Sequence, residues 1–384
     1  MKVIFALSAA ALALTGTAGA APVGGGKLSA AGAAKPMLVV PTASDINNPY
    51  FLVGAGTFSG VGGLITNAFS LRPFVGLCTG AFINPQVVLT AAHCIDNNPT
   101  RIRFRTGSGT IDPGFVQYEG SHYWIHPNYD PARFYEGWDI AAVVLTEPVK
   151  NGEDVYETYK MPFDERFELH TKVGFGTTGE GATGGTLFDI KKRAGENTWD
   201  FFGNEIFSDI NENGLVGDFD NGNPANDSLA PIWAFYGFPG FSDTGAFFSP
   251  SLGVYAFADA NGDLPATASD WVLVESSSAP GDSGGPTFIG NQIAGITSWG
   301  INDPWFDCPT GYDVSCNRSS WGDWFGDTRV SAFIDEMLLL ENFSNVRKIN
   351  KSGIVRFVGV PTPSAVALFG LGLLGLAATR RSRG

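Results

Sequence analysis

Between residues 51 and 342 the apolar positions fall in short runs, such as Val87-Val88-Leu89, the IAAVVL of 140–145 and the IAGI of 293–296. The runs are separated by Asn-Gly, Asp-Gly and Gly-Gly pairs. Apolar runs of this length bounded by turn residues predict strands, so the body is expected to be all-β. One segment departs from the pattern. In RVSAFIDEMLLL, residues 329–340, Val330, Phe333, Ile334, Met337 and Leu338 recur at helical spacing. A closing helix with that face on the core is expected.

The two ends have different patterns. Residues 1–20 begin with a basic Lys2, continue apolar from Val3 to Leu14 and finish on Ala18-Gly19-Ala20, which is the order of a secretory signal peptide. Residues 21–50 are Ala-, Gly- and Pro-rich and are read as a linker or propeptide. A polar linker, 343–359, leads to a tail at 360–384. The 23 residues 357–379 carry no charge, about 34 Å if helical and enough to span a bilayer. The Arg380-Arg381 pair that follows favours a cytoplasmic end. The expected order is therefore signal peptide, linker, all-β body, linker and membrane-spanning tail.

Composition agrees with this picture and narrows it. Fifty glycines and 23 prolines suit many turns. A formal net charge of −14 supplies no basic face for phosphates and excludes nucleic acid as a partner. Export would also carry the four cysteines into an oxidising compartment, where disulfides persist.

Three segments carry chemistry. A serine hydrolase needs a hydroxyl, a base, a carboxylate to hold that base, and backbone donors for an oxyanion. In CTGAFINPQVVLTAAHC, residues 78–94, the run Val87 to Leu89 is expected to deliver His93 to the end of a strand. A bond between Cys78 and Cys94 would clamp that loop, contributing about 3 kcal/mol by loop-closure entropy. In GWDIAAVVL, residues 137–145, Asp139 stands at the entrance to a buried strand, where an unpaired charge is costly. In APGDSGGP, residues 279–286, small residues allow a sharp turn that exposes Ser283, with the N–H groups of Gly281 and Ser283 free to face an oxyanion. His122, His126 and His170 lack such flanks and read as surface or structural.

LTAAHC, WDIA and GDSGGP, in the order His, Asp, Ser, resemble the trypsin-type serine proteases. The resemblance implies a chymotrypsin fold of two six-stranded antiparallel β-barrels with a carboxy-terminal helix. It implies a catalytic triad of His93, Asp139 and Ser283, and an oxyanion hole of Gly281 and Ser283. Gly174-Phe175-Gly176 is similar to the family's turn between barrels, and Ser298, Trp299 and Gly300 to its substrate-pairing strand. Ser277, six residues before Ser283, would floor the specificity pocket. A neutral floor argues against a strict Arg/Lys preference. Ala279 replaces a cysteine of the family's pocket disulfide, and Cys308 and Cys316 are expected to bond each other within one loop.

Other features depart from the family. An amino terminus freed by cleavage normally pairs with the Asp before the catalytic Ser, here Asp282. Leu52-Val53-Gly54 and Val61-Gly62-Gly63 are two possible starts, neither after Lys or Arg. No cofactor is required for this chemistry. DINENGLVGDFD, residues 209–220, is similar to a calcium loop through Asp209, Asn211, Asn213 and Asp220, the alternative being a solvated acidic turn. The tail, with Val360-Pro361-Thr362-Pro363 before its apolar stretch, resembles a PEP-CTERM sorting signal. It implies a processing protease as partner and an extracellular or envelope location in a Gram-negative bacterium. An ordinary anchor is the alternative. Proteins or peptides are the expected substrates, and a catalytically weak or inactive binding or matrix protein on the same scaffold is the competing function.

Overall fold

The computed structural model describes residues 39–67, 76–109, 114–237, 245–259, 262–301 and 319–343, together with the strand Ile354–Phe357. The signal peptide, the tail beyond residue 357 and the Cys308 to Cys316 loop lie outside the described residues. Among those described, no helix is long and apolar enough to cross a membrane.

The amino-terminal half forms a closed barrel. Its strands are β1 (Val61–Asn67), β2 (Gly76–Asn84), β3 (Val87–Thr90), β4 (Arg101–Thr106), β5 (Val116–Ile125) and β6 (Ala141–Leu145). They pair in the order β5-β4-β1-β2-β3-β6, and a β5–β6 ladder closes the ring. Every residue of β3 and β6 is buried. In β4, by contrast, Ile102, Phe104 and Thr106 point inward between exposed or half-buried arginines. That alternation is the period of a strand with one face on a core. Phe82 sits at the centre, edge-on to Phe104 at 5.1 Å and to Tyr118 at 5.4 Å.

The second half contains β7 (Glu157–Thr158), β8 (His170–Gly174), the hairpin β9 (Thr178–Glu180) and β10 (Gly184–Leu187), β11 (Arg193–Asn197), β12 (Phe201–Phe202), β13 (Gly214–Asp218), β14 (Ala246–Ser249), β15 (Val254–Phe257) and β16 (Val272–Leu273). It ends with β17 (Pro286–Ile289), β18 (Gln292–Ile301) and β19 (Trp324–Arg329). The main sheet runs β11-β8-β17-β18-β19-β13-β12, with β7 added parallel to β18. The sequence predicts a second closed six-stranded barrel here; among the described residues no ladder joins the two ends of this path. Its two end strands are successive pieces of the stretch 193–202, interrupted at residues 198–200. Two insertions elaborate this half: the short helices α1 (Gly203–Ile206) and α2 (Ala230–Phe235), and the three-stranded sheet β15-β14-β16.

Three boundary expectations change. The stretch expected as linker contributes residues 39–50 to the body: Val39 and Val40 are fully buried, bridging Ser277 and Glu180. The second linker contributes β20 (Ile354–Phe357), which pairs antiparallel with residues 122–125 of β5. The closing helix starts late, as a 3-10 turn Val330–Phe333 followed by α3 (Ile334–Glu341). The tighter turn, and a non-helical Phe333, shift the phase of the buried face. Met337 and Leu340 are therefore buried while Leu338 is exposed.

The second half buries charge. Lys172 and Asp327 pair at 2.6 Å, both almost wholly enclosed. Glu196 is 9% exposed, and burial pushes its carboxyl from 4.5 up to about 7 against the hydroxyls of Thr171 and Tyr255. A carboxyl raised in this way holds a proton that the unfolded chain has given up. The resulting stability is complete below about pH 4.5 and is lost as pH rises through about 7. Glu196→Gln is expected to remove up to about 3 kcal/mol of that decline. Melting temperatures at pH 5 and pH 8 test this, and parallel profiles for variant and parent would refute it.

Candidate active site

The first barrel supplies the candidate base and its carboxylate. β3 runs into a short 3-10 turn, Ala92–Cys94, and the Cys78–Cys94 disulfide ties that turn to β2. Asp139, fully buried just ahead of β6, receives His93 twice. The His93 N–H donates to Oδ1 at 2.9 Å, and His93 Nδ1 lies 2.6 Å from Oδ2. Such a two-point grip fixes both the position and the orientation of the ring, leaving Nε2 turned away. The second half adds a third contact, with the Ser298 hydroxyl donating to Asp139 Oδ2 at 2.6 Å. Thr328 Oγ1 donates to the Asp139 carbonyl at 3.1 Å.

The second half supplies the candidate nucleophile. Ser283 sits in a turn closed by Asp282 N–H to Ala279 O at 3.0 Å and Gly285 N–H to Asp282 O at 2.6 Å. Gly281 and Gly284 take φ of +113° and +78°, conformations that side chains disfavour. There is also no room for one: a Cβ at Gly284 would come within 2.1 Å of Thr90 Oγ1, and one at Gly281 within 2.7 Å of the Gly176 Cα. The halves clasp each other here. Thr79 N–H donates to Ser283 O at 2.8 Å, and Thr79 Oγ1 donates to Gly281 O at 2.9 Å.

His93 Nε2 and Ser283 Oγ are both buried and neither makes a hydrogen bond among the described residues. Both residues line one cleft of about 290 Å³, with Leu77, the Cys78–Cys94 bridge, Phe188 and Gly281 around them. A base and a hydroxyl facing a common space, with Gly281 beside them, suit acyl transfer, in which the link between base and nucleophile tightens around substrate.

Ser277, Ser298, Trp299 and Gly300 do not line this cleft. Ser277 is buried, its backbone paired with Val39. Trp299 is 1% exposed because the helical insertion covers it. Phe207 meets its ring edge-on at 6.1 Å, and the missing side chain of Gly326 gives it room. The role of Ser298 as a donor to Asp139 was not legible in the sequence, since only the fold brings residues 139 and 298 together.

Asp282 is buried, its carboxylate held by the N–H groups of Gly176 at 2.8 Å and Ala279 at 3.1 Å. Burial pushes it up to about 7, against those bonds and the charges of Arg193 and Lys172. Neither expected start reaches it: Leu52 bridges Arg193 and Val61 opens β1.

The acidic segment is split by β13. Asn211 Oδ1 accepts from Asn213 N–H at 2.8 Å in a local turn, and Asp220 lies beyond the strand, about 16 Å of extended chain away. The four expected calcium ligands are thus not gathered into one loop. Asp220 instead meets Asp218 and Asp227, three buried carboxylates whose oxygens lie within 4.8 Å of one another. That set has the donor chemistry for a hard cation.

The family model described as Trypsin matches residues 67–205 and 265–321. Curated relatives include the clotting factor G beta subunit of Tachypleus tridentatus, 27% identical over 30% of this chain and 38% of its own length. A trypsin-like protease of Streptomyces glaucescens is 29% identical over 28% of this chain and 39% of its own, and a trypsin of Saccharopolyspora erythraea is 24% identical over 58% and 75%. The chain therefore spans about a third to two fifths of the first of these relatives. Among solved structures, HL collagenase superimposes with a TM-score of 0.46 at 16% identity, over 77% of this chain and 98% of its own. With just over half of its residues matched, in the two segments that hold His93, Asp139 and Ser283, this chain belongs to the trypsin family.

Proposed function

We propose that the protein is an exported serine endopeptidase that cleaves peptide bonds through an acyl-enzyme, without a strict Arg/Lys preference. The observation that carries this reading is the grip of Asp139 on His93, with His93 and Ser283 facing one cleft. Ser283 Oγ attacks the scissile carbonyl while His93 Nε2 takes its proton. The N–H groups of Gly281 and Ser283 stabilise the oxyanion. His93 then passes the proton to the leaving amine, and water repeats the sequence on the ester. The ring becomes cationic in between, and the buried Asp139 compensates that charge. No cofactor takes part. Labelling by a fluorophosphonate probe, abolished in Ser283→Ala, tests the reading, and an unlabelled parent would favour a binding protein on the same scaffold.

Activation belongs to the same proposal. Val39 N–H donates to Ser277 O at 2.8 Å, only a few residues from Asp282, whose carboxylate is bonded by no cationic side chain among the described residues. An amino terminus freed by a processing cut would serve as its counterion. Export by the signal peptide, and membrane retention followed by release of the sorting tail, complete the proposal. The active form from its native host is expected to begin at a terminus freed by a cut beyond the signal peptide and to lack Arg380 and Arg381. Intact-mass analysis and amino-terminal sequencing check both ends, and an active chain that begins directly at Ala21 would overturn the activation step.

A further inference from the structure

Away from the catalytic cleft, the segment around Tyr50 meets the edge of the second sheet over a cavity of about 350 Å³. Glu196 lines it, with Tyr50, Tyr255, Phe58, Thr171 and Gly195. Thr171 Oγ1 donates to Glu196 Oε2 at 2.9 Å, and the Tyr255 hydroxyl stands 3.5 Å from Oε1 and 3.0 Å from the Tyr50 hydroxyl. Among the described residues no cationic side chain bonds this carboxylate. Arg193, three positions earlier, is engaged by Asp189 and the Ile46 carbonyl.

We propose that this cavity binds a primary ammonium group, the side chain of a lysine on a protein or peptide. A carboxylate enclosed to this degree calls for a proton or a cation, and the cavity gives a cation access to it. Tyr50 and Tyr255 add aromatic rings that attract an alkylammonium. Phe58 offers apolar surface for the methylenes behind the charge. Lysine fits better than arginine. Thr171 and Tyr255 already attend one oxygen each, leaving room for a compact point charge but not for a planar fork that needs both oxygens in line. The volume, within the range of small-ligand pockets, suits one side chain. The inference is independent of the catalytic reading, because none of these residues belongs to the catalytic cleft.

Saturation-transfer NMR on the purified protein, with n-butylammonium, n-butylguanidinium and n-butanol as probes, tests the proposal. The ammonium is expected to bind saturably, with the alcohol roughly tenfold weaker and the guanidinium weaker than the ammonium. Glu196→Gln is expected to weaken ammonium binding by about tenfold or more and to leave fluorophosphonate labelling unchanged. Should that variant fail to fold, Tyr255→Leu on the exposed rim is expected to weaken binding severalfold. Equal binding of alcohol and ammonium, no saturable ammonium binding, or full binding by both variants would overturn the proposal.

Discussion

Replacing Ser283 or His93 by alanine is expected to lower turnover by on the order of a millionfold. The size follows from the way the parts depend on one another. Without the hydroxyl there is no acyl-enzyme, and without the ring the hydroxyl keeps its proton, so each loss removes the whole covalent route. Combining the two should add little. Ser283 Oγ makes no hydrogen bond among the described residues, and His93→Ala takes one side-chain donor from the buried Asp139, which keeps its bonds from the residue 93 N–H and from Ser298. Melting temperatures should therefore stay near the parent's. Burst kinetics with a chromogenic ester, beside a thermal melt, measure both, and Ser283→Ala turning over at the parental rate would dismiss the mechanism.

The largest expected effect on stability lies elsewhere. Lys172→Met is expected to destabilise the fold by about 3–5 kcal/mol, lowering the melting temperature by on the order of 10 °C. Lys172 Nζ lies 2.6 Å from Asp327 Oδ2, which also accepts from Thr287 Oγ1 at 2.8 Å and Trp199 Nε1 at 3.1 Å. The ammonium also lies 4.0 Å from the centre of the Phe325 ring. Burial lowers the Lys172 pKa, and the Asp327 charge works against that. Two hydroxyl- or indole-type donors do not neutralise a carboxylate, so removing the ammonium leaves Asp327 charged in a dry interior. The double variant Lys172→Met, Asp327→Leu removes that penalty and should melt well above the single one. A single variant that melts within about 2 °C of the parent would show that water or another cation reaches Asp327.

The sequence made the catalytic segments readable because local chain geometry defines them. Strand β3 ends three residues before His93, β6 begins just after Asp139, and the glycines around Ser283 are required by the turn they make. Contacts between distant stretches left no such trace. Nothing local in Leu-Val-Val-Pro says that Val39 will pair with Ser277, so residues 39–50 looked like linker. Phe207 and Trp299 are far apart in sequence, and only the fold shows the insertion covering that ring. The acidic run from Asp209 to Asp220 matched a loop pattern by residue type alone. The same residues also encode the strand Gly214–Asp218, whose apolar Leu215 and Val216 are fully buried. Burial of those two side chains outweighs loop formation.

His93 and Asp139 belong to one half of the molecule and Ser283 to the other, and the bonds of Thr79, Ser298 and Thr328 cross the seam beside one hydrophobic cluster that both halves share, from Phe82 and Val143 to Val173, Phe288 and Phe333. The proposed catalytic group is thus a property of the seam rather than of either half. Because the apolar core runs through that seam, the halves cannot part without exposing it to water. In rising urea, hydrolysis and tryptophan emission should therefore change together, and hydrolysis that fades well before the emission moves would show that the seam opens by itself.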